Sequence, residues 1–180
     1  LGGLKAYVRE YKDKLGLPTN AEEAESLQLY EAQLIVLDGW SDYFRRYAKF
    51  AKEQINEYFS QQTKDELKSL SEICAHLAEG APRTFWEAAQ LCFALNNVMF
   101  MESNGHAMGM GRMDQFLYPF YKADLEKGTV TKDFVQQVIE CYYLKLESHG
   151  QLLPDAGYDM WRGGLRGWSG SAVVLGGVDA

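Results

Sequence analysis

The sequence predicts an α/β chain that is mostly helical, and three observations predict it. Helix-capping signatures recur ahead of apolar residues spaced three and four apart. A glycine-rich stretch, ESNGHAMGMGRMDQ (residues 102–115), interrupts the helices. Near the end, a β-branched run from Ala172 to Leu175 reads as a buried strand.

The first helix is expected from about Leu4 to Leu15, stopped by Gly16 and Pro18. Asn20 with Glu23 forms a capping box, in which the cap side chain takes an orphan N–H and the glutamate reaches back. A long helix begins there, with Leu27, Tyr30, Leu34, Leu37, Tyr47, Phe50, Ile55 and Tyr58 at helical spacing. Gly39 with Ser41 leaves open whether it is one helix or two. Thr63 with Glu66 repeats the signature for a helix ending at Gly80, before Pro82. Thr84 with Glu87 repeats it again, ahead of FWEAAQLCFALNNVMFM. That helix is apolar on nearly every side, so other protein must cover it all round.

Met113 to Gly128 reads as a further helix with Pro119 inside, either kinked there or restarted after an irregular turn. Thr131 caps the last helix, which runs to about Ser148 and is closed by Gly150. Six glycines in the 21 residues from Gly150 to Gly170 mark loop. The strand at Ala172–Leu175 cannot satisfy its ladder hydrogen bonds alone. It demands a sheet that this chain does not supply, and the sequence is therefore expected to be incomplete.

At 180 residues the chain is one domain or part of one. Its 47% hydrophobic and 24% charged content is that of a globular protein rather than a disordered one. A net charge of -7 argues against a nucleic-acid groove or an anionic membrane surface, since both need clustered Lys and Arg. Small molecules or proteins are the expected partners. Cys74, Cys92 and Cys141 form no CxxC pair and fall inside helical patterns, as reduced thiols of a cytosolic protein do. No signal peptide is visible. The most apolar window, Phe85 to Met101, carries Glu87, Gln90, Asn96 and Asn97 and is short for a membrane span.

Read as extended, residues 105–112 place Ala107, Gly109 and Gly111 on one face and His106, Met108, Met110 and Arg112 on the other. The nearly bare face suits close approach of another backbone, or the floor of a ligand pocket with soft methionine walls. His106 is either a proton-transfer group or ligand, or a hydrogen-bonded structural residue. Glu102, His106 and Asp114 have no recognised metal-ligand spacing, and His76 and His149 lie on separate helices, so no metal site is expected. The glycines at 105, 109 and 111 make no dinucleotide fingerprint. Cys74 and His76 are two apart on a helix and point away from each other, and Glu87 is explained as a capping partner. Tyr118, Tyr121, Tyr142 and Tyr143 read as core aromatics, while Trp161 and Trp168 sit on a loop, where aromatics often line sites.

Three segments in order, PRTFWEAAQLCF, ESNGHAMGMGRMDQFLYPFYKADLEKGTVT and VVLGGVDA, resemble the pyruvate formate-lyase-type glycyl radical enzymes. The resemblance extends upstream through YEAQLIVLDGWSDYFRRYAKFA and covers most of the chain. It implies that residues 1–180 are part of a single pyruvate formate-lyase-type domain: helical jacket plus the first strands of a ten-stranded barrel made of two half-barrels. It also implies a cytoplasmic enzyme of anaerobic metabolism, a homodimer, that performs radical C–C or C–X bond cleavage on a small substrate as a lyase, decarboxylase or dehydratase. A radical stored on a backbone glycine would pass to a cysteine, whose thiyl abstracts hydrogen from the substrate. The glycyl radical would be installed by a radical SAM iron–sulfur activating enzyme.

This chain departs from the full family pattern in two places. It has no RVxGY-like loop, and its three cysteines are followed by Ala, Phe and Tyr rather than lying in a GCxE-like turn. No catalytic residue is therefore assigned here. By resemblance, the substrate-binding residues are Asn104, Gly105, His106 and Ala107. Diol dehydratases of the family carry NGHS, where this chain has NGHA. Loss of that hydroxyl would leave a buried diol oxygen unpaired at about 1–3 kcal/mol, which disfavours a glycerol or propanediol substrate. The alternative reading is a non-catalytic helical module that assembles with or regulates a related enzyme.

Overall fold

A computed structural model describes residues 1–103, 108–147 and 171–173. In chain order the elements are α1 (Gly2–Leu15), α2 (Ala21–Glu53), α3 (Gln61–Leu77), α4 (Phe85–Ser103), β1 (Met108–Gly111), α5 (Met113–Glu126), α6 (Lys132–Glu147) and β2 (Ser171–Val173). The described chain is thus mostly helical. It divides into two compact units, Leu1–Ala81 and Pro82–Ala180.

In the first unit α2 is a single helix of 33 residues. Gly39 does not break it, for an energetic reason. A helical glycine costs about 1 kcal/mol, whereas each large apolar side chain buried beside it contributes about 1.5–3 kcal/mol. Leu37, Ser41, Phe44, Ala48 and Ala51 supply that buried stripe at three- and four-residue spacing. Cys74, Leu77 and Ala78 at the end of α3 are buried too, and α2 and α3 lie in contact. Two serines staple the pair: Ser41 Oγ donates to the Ala78 carbonyl at 2.6 Å, and Ser71 Oγ to the Ala48 carbonyl at 2.7 Å. Because the two staples join rising numbers on α2 to falling numbers on α3, the helices are antiparallel. Ser41→Ala should leave a buried carbonyl short of its donor and lower stability by about 1 kcal/mol, read by urea unfolding.

The capping pattern is partly as the sequence indicates. Asn20 Oδ1 accepts from Glu23 N at 2.9 Å, while Glu23 reaches back to Thr19 N at 2.6 Å, one residue before the cap. On α3 the expected Thr63 cap is corrected. Ser60 is the cap, accepting from Thr63 N at 3.2 Å, and the helix begins two residues before Thr63. Ser60 is itself a strong cap, and Gln61 and Gln62 continue a helix without cost, so the earlier signal prevails. The last turn of α2 also closes earlier than the periodicity suggests, leaving Ile55 and Tyr58 outside the helix.

In the second unit α4, α5 and α6 share one core, formed by Phe85, Ala88, Met113, Leu117, Val135, Tyr142 and Leu146. Trp86 packs on Phe134 and Phe93 on Tyr142, at ring separations of 5.6 and 5.8 Å, so α4 and α6 run in the same direction. Cover of α4 is not complete: Met99 and Met101 remain exposed. Pro119 neither ends nor restarts α5, which continues through it. An interior proline costs roughly 3 kcal/mol, and buried Met113 and Leu117 before it and Asp124 after it anchor the helix on both sides.

The strand expectation needs one correction and one refinement. The strand near the end does find a partner within the chain, because β1 and β2 pair in parallel with register Met108↔Ser171, Gly109↔Ala172 and Gly111↔Val173. Met110 is the extra residue of a bulge, so the strict two-residue alternation predicted for 105–112 fails between Gly109 and Gly111. Gly111 has φ 62°, and a Cβ placed there would meet nothing within 4 Å. Glycine is needed at Gly111 for the left-handed backbone of the bulge rather than for a close neighbour.

Candidate functional site

The structure defines the frame on either side of the four residues expected to bind substrate. Asn104, Gly105, His106 and Ala107 themselves lie outside the described residues. The frame consists of α4, which ends at Ser103, and β1, which begins at Met108 and turns through its bulge into α5.

Three backbone donors at the start of α4 are taken by side chains, while Ala88 N makes the first intrahelical bond to the Thr84 carbonyl at 3.0 Å. Thr84 Oγ1 accepts from Glu87 N at 3.2 Å, and Glu87 Oε2 accepts from Arg83 N at 2.6 Å. Arg83 also closes a salt bridge on Glu87, with Nη2 2.5 Å from Oε1. The Thr84–Glu87 signature read from sequence is therefore present, with the return bond shifted one residue upstream. A third partner comes from far along the chain. Asp124 of α5, 2% exposed, accepts from Phe85 N through Oδ2 at 2.7 Å. Its own carbonyl accepts from Thr129 N and Oγ1, at 3.0 and 3.1 Å, which fixes the turn after α5. A carboxylate at a helix N-terminus faces the positive end of the helix dipole, so the contact is favourable twice over. Sequence reasoning missed Asp124 because a cap supplied from 39 residues away leaves no local signature.

At the other end of the frame, Arg112 grips Asp114 with two parallel bonds, Nε to Oδ1 at 3.0 Å and Nη2 to Oδ2 at 3.1 Å. Both side chains are about a third exposed. The pair spans the junction between the β1 bulge and the first turn of α5, where a carboxylate again suits the helix dipole. It fixes the direction in which the chain leaves β1.

The remaining candidates resolve as follows. His76 bonds the Ala81 carbonyl at 2.8 Å and packs against Gly80, a structural role. Cys74, Cys92 and Cys141 lie on α3, α4 and α6, none of them in a turn. Burial pushes the Cys74 and Cys92 thiols up to about 11. A thiol whose folded value is raised contributes stability while it stays protonated, below its ordinary value near 9, and that contribution is lost as pH climbs toward 11. At pH 8 iodoacetamide should therefore label neither Cys74 nor Cys92 in the folded chain and both after denaturation, as read by mass spectrometry. Tyr142 is core as expected, but Tyr118 and Tyr143 are exposed. They line an apolar groove of about 460 Å³ between α5 and α6, floored by Phe85, Leu117, Val135 and Ile139. Among the described residues no three His, Cys, Asp or Glu side chains form a metal cage.

In the second unit three helices accompany a short parallel strand pair whose first strand carries a bulge, an α/β arrangement. The chain belongs to the pyruvate formate lyase-like family, whose model matches residues 1–180. It is 39% identical over 158 residues to the (2S)-3-sulfopropanediol dehydratase of Klebsiella oxytoca, covering 88% of this chain and 19% of that protein. It is 37% identical over 122 residues to the 4-hydroxyphenylacetate decarboxylase glycyl radical subunit of Clostridioides difficile, covering 68% of this chain and 14% of that one. The backbone superposes on a solved structure of 1,2-propanediol dehydration in Roseburia inulinivorans with TM-score 0.89 and 27% identity, over 98% of this chain and 20% of the other. The chain thus spans 14% to 20% of the length of these relatives.

Proposed function

We propose that the chain is the segment of a glycyl radical enzyme that carries part of the substrate pocket, with Asn104, Gly105, His106 and Ala107 facing the substrate. The family match along the whole of residues 1–180 carries this reading. Both compact units then belong to one pyruvate formate-lyase-type domain. The reaction is radical cleavage of a C–X or C–C bond in a small substrate. Dehydration is favoured within that class by the likeness to the sulfopropanediol dehydratase. This outweighs the expectation drawn from Ala107, which bears on one missing hydroxyl partner and leaves the rest of the pocket unspecified.

Within the pocket His106 would hold or move a proton at a substrate oxygen, a role its near-neutral ordinary pKa suits. Arg112–Asp114 and the α4 cap would keep the two ends of the 104–107 segment in place. None of the three cysteines here would carry the thiyl radical, since all lie on helices, and the radical-bearing loops would come from further along the polypeptide or from another chain. We infer further that a radical SAM iron–sulfur enzyme installs the radical and that the working form is a cytoplasmic homodimer. No described helix is long and apolar enough to cross a membrane. The test is an anaerobic assay of the whole protein, activated to the radical form, against small diols with and without a sulfonate group. Loss of water from one of them, with aldehyde or ketone formed, is the expected result. A radical-bearing protein that dehydrates none of them would refute the dehydration assignment.

A further inference from the structure

Among the described residues of the 82–180 unit, two deeply buried polar atoms have no hydrogen-bond partner: Asn96 Oδ1 and Tyr142 OH. Asn96 is 3% exposed and Tyr142 5%, so bulk water reaches neither. Such orphans are rare in folded proteins, and a buried polar group is normally satisfied by protein or by an ordered water. Phe85, Ala89, Cys92 and Asn96 follow one another at spacings of four, three and four, which places them on one face of α4. Phe85 and Cys92 from that face pack in the same cluster as Tyr142, so Asn96 extends it by one further turn. The Tyr142 ring lies edge-on to Phe93, 5.8 Å away, and its hydroxyl is close enough to Cys92 for the thiol to add to the upward shift that burial imposes on the phenol.

We propose that the seam between α4 and α6 holds internal water, donating to Asn96 Oδ1 and bonded to Tyr142 OH. Water fits where other ligands do not. An apolar guest would leave both atoms unpaired. A water has donors for the amide oxygen and both donor and acceptor capacity for the phenol.

The experiment is a crystal structure of the whole protein at a resolution that shows ordered water, beside the same structure of the Tyr142→Phe, Asn96→Leu double variant. The expected result is ordered water on both Asn96 Oδ1 and Tyr142 OH in the parent, and a dry seam in the double variant. Protein groups bonded to either atom, or an empty seam in the parent, would overturn the proposal. Oxygen-17 relaxation dispersion in solution gives a second measure. The number of long-lived internal waters should fall in Tyr142→Phe alone, which keeps the ring and the fold, and an unchanged number contradicts the site.

Discussion

His106→Ala in the whole protein should slow turnover by about 10²–10⁴-fold, the range that a positioned proton-transfer group contributes. The glycine-centred radical, quantified by electron paramagnetic resonance, should form to the same extent. The two readouts separate the roles. A substrate-facing histidine changes the rate alone, whereas a histidine that held up the fold would reduce both. Unchanged turnover per radical would return His106 to a structural part beside the β1 bulge. The effect is expected on the rate rather than on stability because His106 is flanked by independently anchored elements. α4 is capped at its far end by Thr84, Glu87 and Asp124, and the β1–α5 junction is pinned by Arg112 and Asp114.

Asp124→Ala should lower stability by about 1.5–3 kcal/mol, the cost of losing a buried hydrogen bond to a charged acceptor and leaving Phe85 N without a partner. Guanidinium unfolding reads this directly, as a fall in midpoint without a change in slope. Asp124→Asn keeps an acceptor at the same place and should cost less, since only the charge is removed. Equal losses for the two variants would mean that Asp124 acts through packing rather than through the cap. Because the bond joins α5 to the start of α4, the alanine variant should also raise hydrogen exchange at the first turn of α4 before it does so in α2 or α3.

Most of the helical architecture was legible in the sequence because it rests on local rules. Asn20, Thr84 and Thr131 lie where caps belong and are found capping, and Gly16 ends α1 in the left-handed conformation that glycine tolerates. The misreadings fall where tertiary packing overrides a local signal. Gly39 left open one helix or two, and Pro119 a kink or a restart; in both places the helix is continuous, because buried neighbours outweigh the local cost. Ser60 was overlooked because Thr63 with Glu66 forms the fuller signature, although the nearer hydroxyl caps first. The bulge at Met110 could not be read from alternation, because an inserted residue shows only in the register of the pair. Asp124 and the Asn96–Tyr142 pair were invisible for a different reason: each depends on residues brought together from different helices.

The candidate site was legible only through its motif. NGHA and GRMDQ identify a segment and a family, and the arginine and aspartate of the second motif prove to be partners in one bidentate bond. The match spans 19% of the sulfopropanediol dehydratase and 20% of the solved structure. The most direct measurement is therefore electron paramagnetic resonance of the whole protein after anaerobic incubation with a radical SAM activating enzyme. A glycine-centred organic radical, discharged as a diol substrate is turned over, is the predicted result. Under conditions in which another member of the family acquires its radical, a spectrum with no glycine-centred signal would contradict the assignment.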